Sequence, residues 1–122
     1  MTVTTAAEVV GEYTRAIGAG DMPTARSLMA DDMHFTGPID TFQNRDDFLA
    51  SLGKLAQIVT GMDVHRVVAD GDDVVTIYDL KTTVAGVSPV AEWATVKDGK
   101  IVEIRVFFDA RPFAALFEQH RG

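Results

Sequence analysis

The sequence predicts an α+β domain in which helices come first and consecutive strands follow. Two observations carry this. The apolar residues recur at helical spacing up to about residue 59, and from Met62 onward they switch to strand-like runs rich in Val, Ile, Thr and aromatics. Turn signals at Asp70-Gly71, Gly86 through Pro89 and Asp98-Gly99 then cut the second half into four strands. A third observation sets the scale: 122 residues, 47% of them hydrophobic, fit one domain with one core over 1–122.

The elements follow in order. Thr5 and Glu8 are spaced as a capping box, and Ala6, Val9, Val10, Tyr13 and Ile17 form one apolar helical face that Gly18 and Gly20 end. Asp21 caps a short second helix with Pro23 in its first turn and Ala25, Leu28 and Met29 on its buried side. MHFT reads as a short strand closed by Gly37-Pro38. Asn44 caps a third helix reaching about Val59, with Phe48, Leu52, Leu55, Ala56 and Val59 as its apolar stripe. Strands are expected near 62–69, 73–84, 90–97 and 100–108, and a last short helix from Pro112 to about Gln119 buries Phe113, Leu116 and Phe117. The whole is one curved antiparallel sheet with three helices on its concave face.

Composition removes several function classes. Cysteine is absent, which excludes disulfides, thiolate metal sites and cysteine nucleophiles. Eleven basic residues against eighteen acidic give a net charge of −7, unsuited to a nucleic-acid phosphate track. No apolar run approaches the roughly 18 residues of a membrane span. The opening MTVTTAAE lacks the basic and apolar regions of a secretory signal, so a cytoplasmic location is expected. His34, His65 and His120 are scattered, without the close spacing of a metal-binding helix, and no metal or other cofactor is expected. No phosphate loop or serine-nucleophile elbow is present.

Register decides what Glu92 does. A plain two-residue turn at Asp98-Gly99 pairs Lys97 with Lys100 and sets Glu92 opposite Arg105 in solvent. A three-residue loop with a glycine bulge sets Glu92 opposite Ile104 and puts Glu92, Ala94 and Val96 on the face of Val102, Ile104, Val106 and Phe108. The continuous apolar set of the last strand favours the second. It leaves Trp93, Arg105 and Phe107 on the convex face, where exposed aromatics predict a homodimer interface. With Ala85-Gly86 at its tip, the preceding hairpin pairs Asp79 with Glu92, two carboxylates too close to ionise together. Asp79 shares its strand face with Val75 and Ile77, and is either a satisfied structural acid or a working one. Tyr13 is either a core tyrosine or a pocket donor. Asp40 follows the first strand and can reach inward from the rim. His34 is expected on the convex side.

The stretches EVVGEYTRAIGAGD, ARSLMADDMHFTGP, VKDGKIVEI and FFDARPF, in that order, resemble the nuclear transport factor 2-like superfamily in its SnoaL-like and ketosteroid isomerase-like branch. The resemblance spans nearly the whole chain. It implies a cone-shaped α+β barrel whose concave side holds an apolar pocket under the first and third helices. It also implies that relatives pair through the convex face. Tyr13 occupies the place of the isomerases' oxyanion tyrosine. Glu92 falls where they keep a protonated aspartic acid, with one residue skipped in the following turn. Their general base belongs at Gly37, where this chain has no side chain. Of the limonene epoxide hydrolase set, Asp79 matches an aspartate, while Ile77, Phe35, Gly37 and Val106 replace the arginine, tyrosine, asparagine and second aspartate.

The function expected is therefore a cofactor-independent acid–base enzyme of isomerase, cyclase or dehydratase type, acting on an apolar polycyclic or polyketide-like molecule. Tyr13, Asp79, Glu92 and Asp40 are its candidate catalytic residues. Phe35, Ile77, Val106, Phe108, Phe48 and Leu52 are its candidate substrate contacts. The alternative is a binding or interaction module of the same fold that lacks the base.

Overall fold

The computed structural model describes residues 5–114. Helix α1 (Ala6–Ala19) starts at the reciprocal Thr5–Glu8 box, both bonds 3.1 Å long, and ends at Gly20 in the left-handed conformation. Helix α2 (Met22–Ser27) is capped by Asp21, and α3 (Arg45–Ala56) by Asn44. The strands are β1 (Met29–Thr36), β2 (Thr41–Phe42), β3 (Val59–Asp70), β4 (Asp73–Thr82), β5 (Gly86–Lys97) and β6 (Lys100–Phe107). They form one curved sheet ordered β2-β1-β6-β5-β4-β3, with β2 and β3 as open edges.

Four expectations are corrected at this level. The sheet is mixed, because β1 runs parallel to β6. Hairpins force only neighbours along the chain to be antiparallel, and β1 reaches β6 across the whole intervening sequence. Met29 belongs to β1 rather than to the second helix. That helix stops at Ser27, where the Leu28 carbonyl is already taken by the Ile101 N–H at 2.8 Å. The third helix ends at Ala56, and Val59 opens β3. Arg111–Phe113 form a short 3-10 turn with Phe113 buried, whereas Leu116, Phe117, Gln119 and His120 lie outside the described residues.

Helix α1 lies across the concave face, touching β3, β4, β5 and β6, while α3 packs on β1 and β2. The core is Val9, Val10, Tyr13 and Ala16 of α1 against Ala25, Met29, Met33, Phe48, Val74, Ala94, Val96, Ile101 and Ile104. Burying this helical stripe against the sheet contributes roughly 1.5–3 kcal/mol per large apolar side chain.

Two hairpins set which side chains face α1. At Asp98-Gly99 both residues take positive φ, 52° and 75°, which makes the two-residue turn whose twist matches the strands. Lys97 therefore pairs with Lys100, and the expected three-residue loop is absent. The extra residue sits instead at Val102, a bulge between the Val96–Ile101 and Thr95–Glu103 pairs. Beyond it Glu92 lies opposite Val106, not Ile104 as the looped reading had it. One inserted residue anywhere between the turn and Glu92 exchanges the faces, so Glu92 still turns inward and Trp93, Arg105 and Phe107 outward.

The β4–β5 hairpin turns earlier than expected, through Thr83, Val84 and Ala85, with the Ala85 N–H donating to the Thr82 hydroxyl at 2.9 Å. Thr82 consequently pairs with Gly86, Asp79 with Pro89 and Thr76 with Glu92. The face of Val74, Thr76 and Tyr78 is the inner one. Val75, Ile77 and Asp79 face out.

Candidate functional site

Three polar side chains meet under α1. Tyr13 projects from the middle of α1's apolar stripe and is 4% exposed. Tyr78 of β4 donates its phenolic proton to Oε1 of Glu92 at 3.2 Å. Glu92 on β5 has Thr76 and Val106 as its direct neighbours across the sheet. Burial pushes the Glu92 carboxyl up to about 7, against the opposing pull of the Tyr78 hydrogen bond. Both phenols are pushed well above their ordinary range. For Tyr13 the causes are burial and then the proximity of Glu92 and Tyr78. For Tyr78 they are burial, the Glu92 charge and its hydrogen bond to Glu92. Two phenols that stay protonated thus flank a carboxyl that changes charge near neutrality. That arrangement can give a hydrogen bond to an oxygen and exchange a proton with a carbon or a second oxygen.

The remaining expected residues divide. Phe35 and Phe48 stack with ring centroids 4.6 Å apart, and Phe42 closes the cluster at 5.8 and 6.3 Å. Leu52 and Val106 are partly buried against the core. Phe108 sits just past β6, edge-on to Phe113 at 5.5 Å. Asp79 does not meet Glu92. It lies on the outer face, where its Oδ2 is 2.8 Å from Nε2 of His65, and the expected carboxylate pair is corrected. Ile77 shares that outer face and is 39% exposed. Asp40 is exposed at the β1–β2 turn, its carbonyl accepting the Gly37 N–H at 2.9 Å. His34 is exposed on β1.

Gly37, the position the resemblance assigns to the isomerases' base, packs closely against Phe35. A Cβ there would meet Cε1 and Cζ of the Phe35 ring at 3.2 Å, so a side chain would require a ring stacked on Phe48 to give by a few tenths of an ångström. Tyr78 is the residue that sequence reasoning missed. Its signal was present: Val74, Thr76 and Tyr78 alternate as regularly as Val75, Ile77 and Asp79. Loop length alone chose between the two faces. Among the described residues no three His, Asp or Glu side chains gather as a metal site, and no helix is long and apolar enough to cross a membrane. A surface groove between α2 and α3, lined by Met22, Pro23, Arg26, Asp46, Leu49 and Ala50, includes none of the polar trio.

A curved, unclosed sheet wrapped around α1 is the architecture of the nuclear transport factor 2-like class of cone-shaped folds. Within that class the chain belongs to the SnoaL-like domain family, whose sequence model matches residues 10–104. A Kribbella flavida protein is similar at 29% identity and a TM-score of 0.86, covering 98% of this chain and 100% of its own. A candidate ketosteroid isomerase from the same organism superposes with a TM-score of 0.77 at 17% identity, over 85% of this chain and 77% of its own. An LEH-like epoxide hydrolase from M. tuberculosis does so at 0.74 and 22%, over 93% and 96%. These last two likenesses show the fold alone. No curated protein matches the sequence.

Proposed function

We propose that the protein binds an apolar carbonyl compound, polycyclic or polyketide-like, against the concave face and moves a proton on it. The observation that carries this reading is the group Tyr13–Tyr78–Glu92, with its single carboxyl pushed up to about 7. With Asp79 outside, Glu92 is the one carboxyl in the group. The roles then follow by elimination. The Glu92 carboxylate takes the proton from the carbon next to the carbonyl and, as the neutral acid, returns it to another carbon or to a leaving oxygen. Tyr13 donates to the carbonyl oxygen while negative charge develops there. A proton carrier works best when its pKa lies near the operating pH, and Glu92 meets that condition. Isomerisation, aldol-type cyclisation and dehydration all use this one step.

The test is exchange of a ketone's α-proton in deuterated buffer, with an apolar bicyclic ketone as the probe. Exchange by the wild type that Glu92→Gln abolishes supports the reading. A ketone that binds without exchange overturns it in favour of the second reading, a binding module of the same fold. What favours that second reading is Gly37, which supplies no side chain as a separate base and packs tightly against Phe35.

We also infer a homodimer through the outer face of β5 and β6. There the Arg105 guanidinium lies 4.0 Å over the Trp93 ring, and Phe107 is 56% exposed. A monomer in sedimentation at micromolar concentration overturns this.

A further inference from the structure

Thr76 lies directly opposite Glu92 and is 2% exposed, and its hydroxyl oxygen is buried with no hydrogen-bond partner among the described residues. A buried hydroxyl without a partner destabilises, while valine would occupy the same space with no such group to satisfy. An orphan of this kind needs a physical reason. Directly opposed side chains hold their Cβ atoms roughly 5 Å apart, within reach of a glutamate's stem. The Glu92 carboxyl leans along β4 to Tyr78 instead, at 3.2 Å.

We propose that Thr76 is a positioning residue for Glu92: its hydroxyl donates to the carboxylate once the proton has left, and is released when the acid is neutral. The groups facing Glu92 are Tyr13 from α1, Thr76 and Tyr78 from β4, and Val106 from β6, and none carries a charge. Glu92 is half-buried, so apart from solvent the ionised form depends on hydroxyl donors for its hydrogen bonds. A carboxylate offers about four acceptor sites, and Tyr78 fills one of them. Swinging between Tyr78 and Thr76 aims the carboxylate at two points, which suits a group that takes a proton at one atom and returns it at another. Only hydrogen bonds change; the proton itself passes to substrate or water.

The inference rests on Glu92 as the site's proton carrier, yet its test needs no substrate, so the two readings fail separately. The carbon resonance of the Glu92 carboxyl, assigned with Glu92→Gln, is followed through a pH titration of wild type, Thr76→Val and Thr76→Ser. Thr76→Val should raise the Glu92 midpoint by about one pH unit, and Thr76→Ser should restore it. Thermal unfolding gives a second readout. At about pH 5 Thr76→Val should melt at or above wild type, and at about pH 9 it should fall below, because the lost donor matters only to the ionised form. A merely structural threonine predicts the same melting difference at both pH values and an unmoved midpoint, and that result overturns the proposal. Should the valine variant not fold, Thr76→Ala replaces it in both measurements with the same expectations.

Discussion

The two faces of the β4–β5 pair carry the same kinds of residue and put them to opposite uses. On the inner face Glu92 sits among Tyr13, Tyr78 and Val106, and burial pushes its carboxyl up to about 7. On the outer face Asp73 accepts hydrogen bonds from the Trp93 indole at 2.9 Å and the Thr95 hydroxyl at 2.8 Å, which hold its carboxyl below the usual range. Outward as well, Asp79 meets His65, and Asp63 meets Lys81 at 2.8 Å. The difference teaches that carboxylate chemistry is assigned here by the face a side chain occupies. Solvent, the neutral Trp93 and Thr95 donors, and the Lys81 ammonium serve the outer acids. The inner acid is half-buried and its one protein donor is the neutral Tyr78 phenol, so its charge is held conditionally.

The sharpest way to break this contrast is to exchange the acids' functions. Glu92→Gln should lower ketone α-proton exchange by about 10²–10⁴-fold, the usual contribution of a positioned acid–base group. Asp79→Asn should leave the rate within about twofold, measured in the same assay. Equal losses in the two variants would refute the division of faces. Tyr13→Phe should cost about 10²–10³-fold if its phenol stabilises the developing oxyanion.

Stability gives the next largest effect. Glu92's folded value lies above its ordinary 4.5, so the folded state holds the proton more tightly than the unfolded chain does. Stability from the neutral acid is complete below about 4.5 and is lost as pH rises through about 7. The loss should be on the order of 2–3 kcal/mol in the wild type and absent in Glu92→Gln, as read from urea unfolding across that window. A wild type whose stability stays level there would mean that Glu92 is solvated after all.

Disruption of the outer face should act on association and leave the inner trio unchanged. Trp93→Ala combined with Phe107→Ser removes the aromatic pair at the centre of the inferred interface, and sedimentation should then give a monomer. Its Glu92 titration midpoint should match that of wild type. The smallest effect belongs to the His65–Asp79 pair: His65→Ala should change stability by less than about 1 kcal/mol, with the difference shrinking in added salt.

Much of this molecule was legible in local sequence. The caps at Thr5, Asp21 and Asn44 act within three residues of themselves, and the α1 stripe from Val9 to Tyr13 is a matter of helical period. The inward turn of Glu92 was readable from the apolar alternation of β6, even though the extra residue sits at Val102 rather than in the turn. Asp79 and Tyr78 were not separable in this way. Each continues a regular alternation on β4, and only the loop through Thr83, Val84 and Ala85 decides which of the two meets Glu92.

The sequence by itself thus determined the order of elements, the helix ends, the apolar stripe of α1 and the presence of Tyr13 and Glu92 on buried faces. These depend on interactions between residues a few positions apart, or on periodicity that one strand displays alone. Tertiary structure decided the rest: the parallel pairing of β1 with β6, the partnership of Glu92 with Tyr78 and Thr76, the exile of Asp79 to the outer face, and the close packing of Gly37 against Phe35. Strand pairing has a period of two, so a single residue's difference in loop length reverses every side chain beyond it. Local propensity leaves that difference open; it is set by the energy of the whole packed sheet against α1.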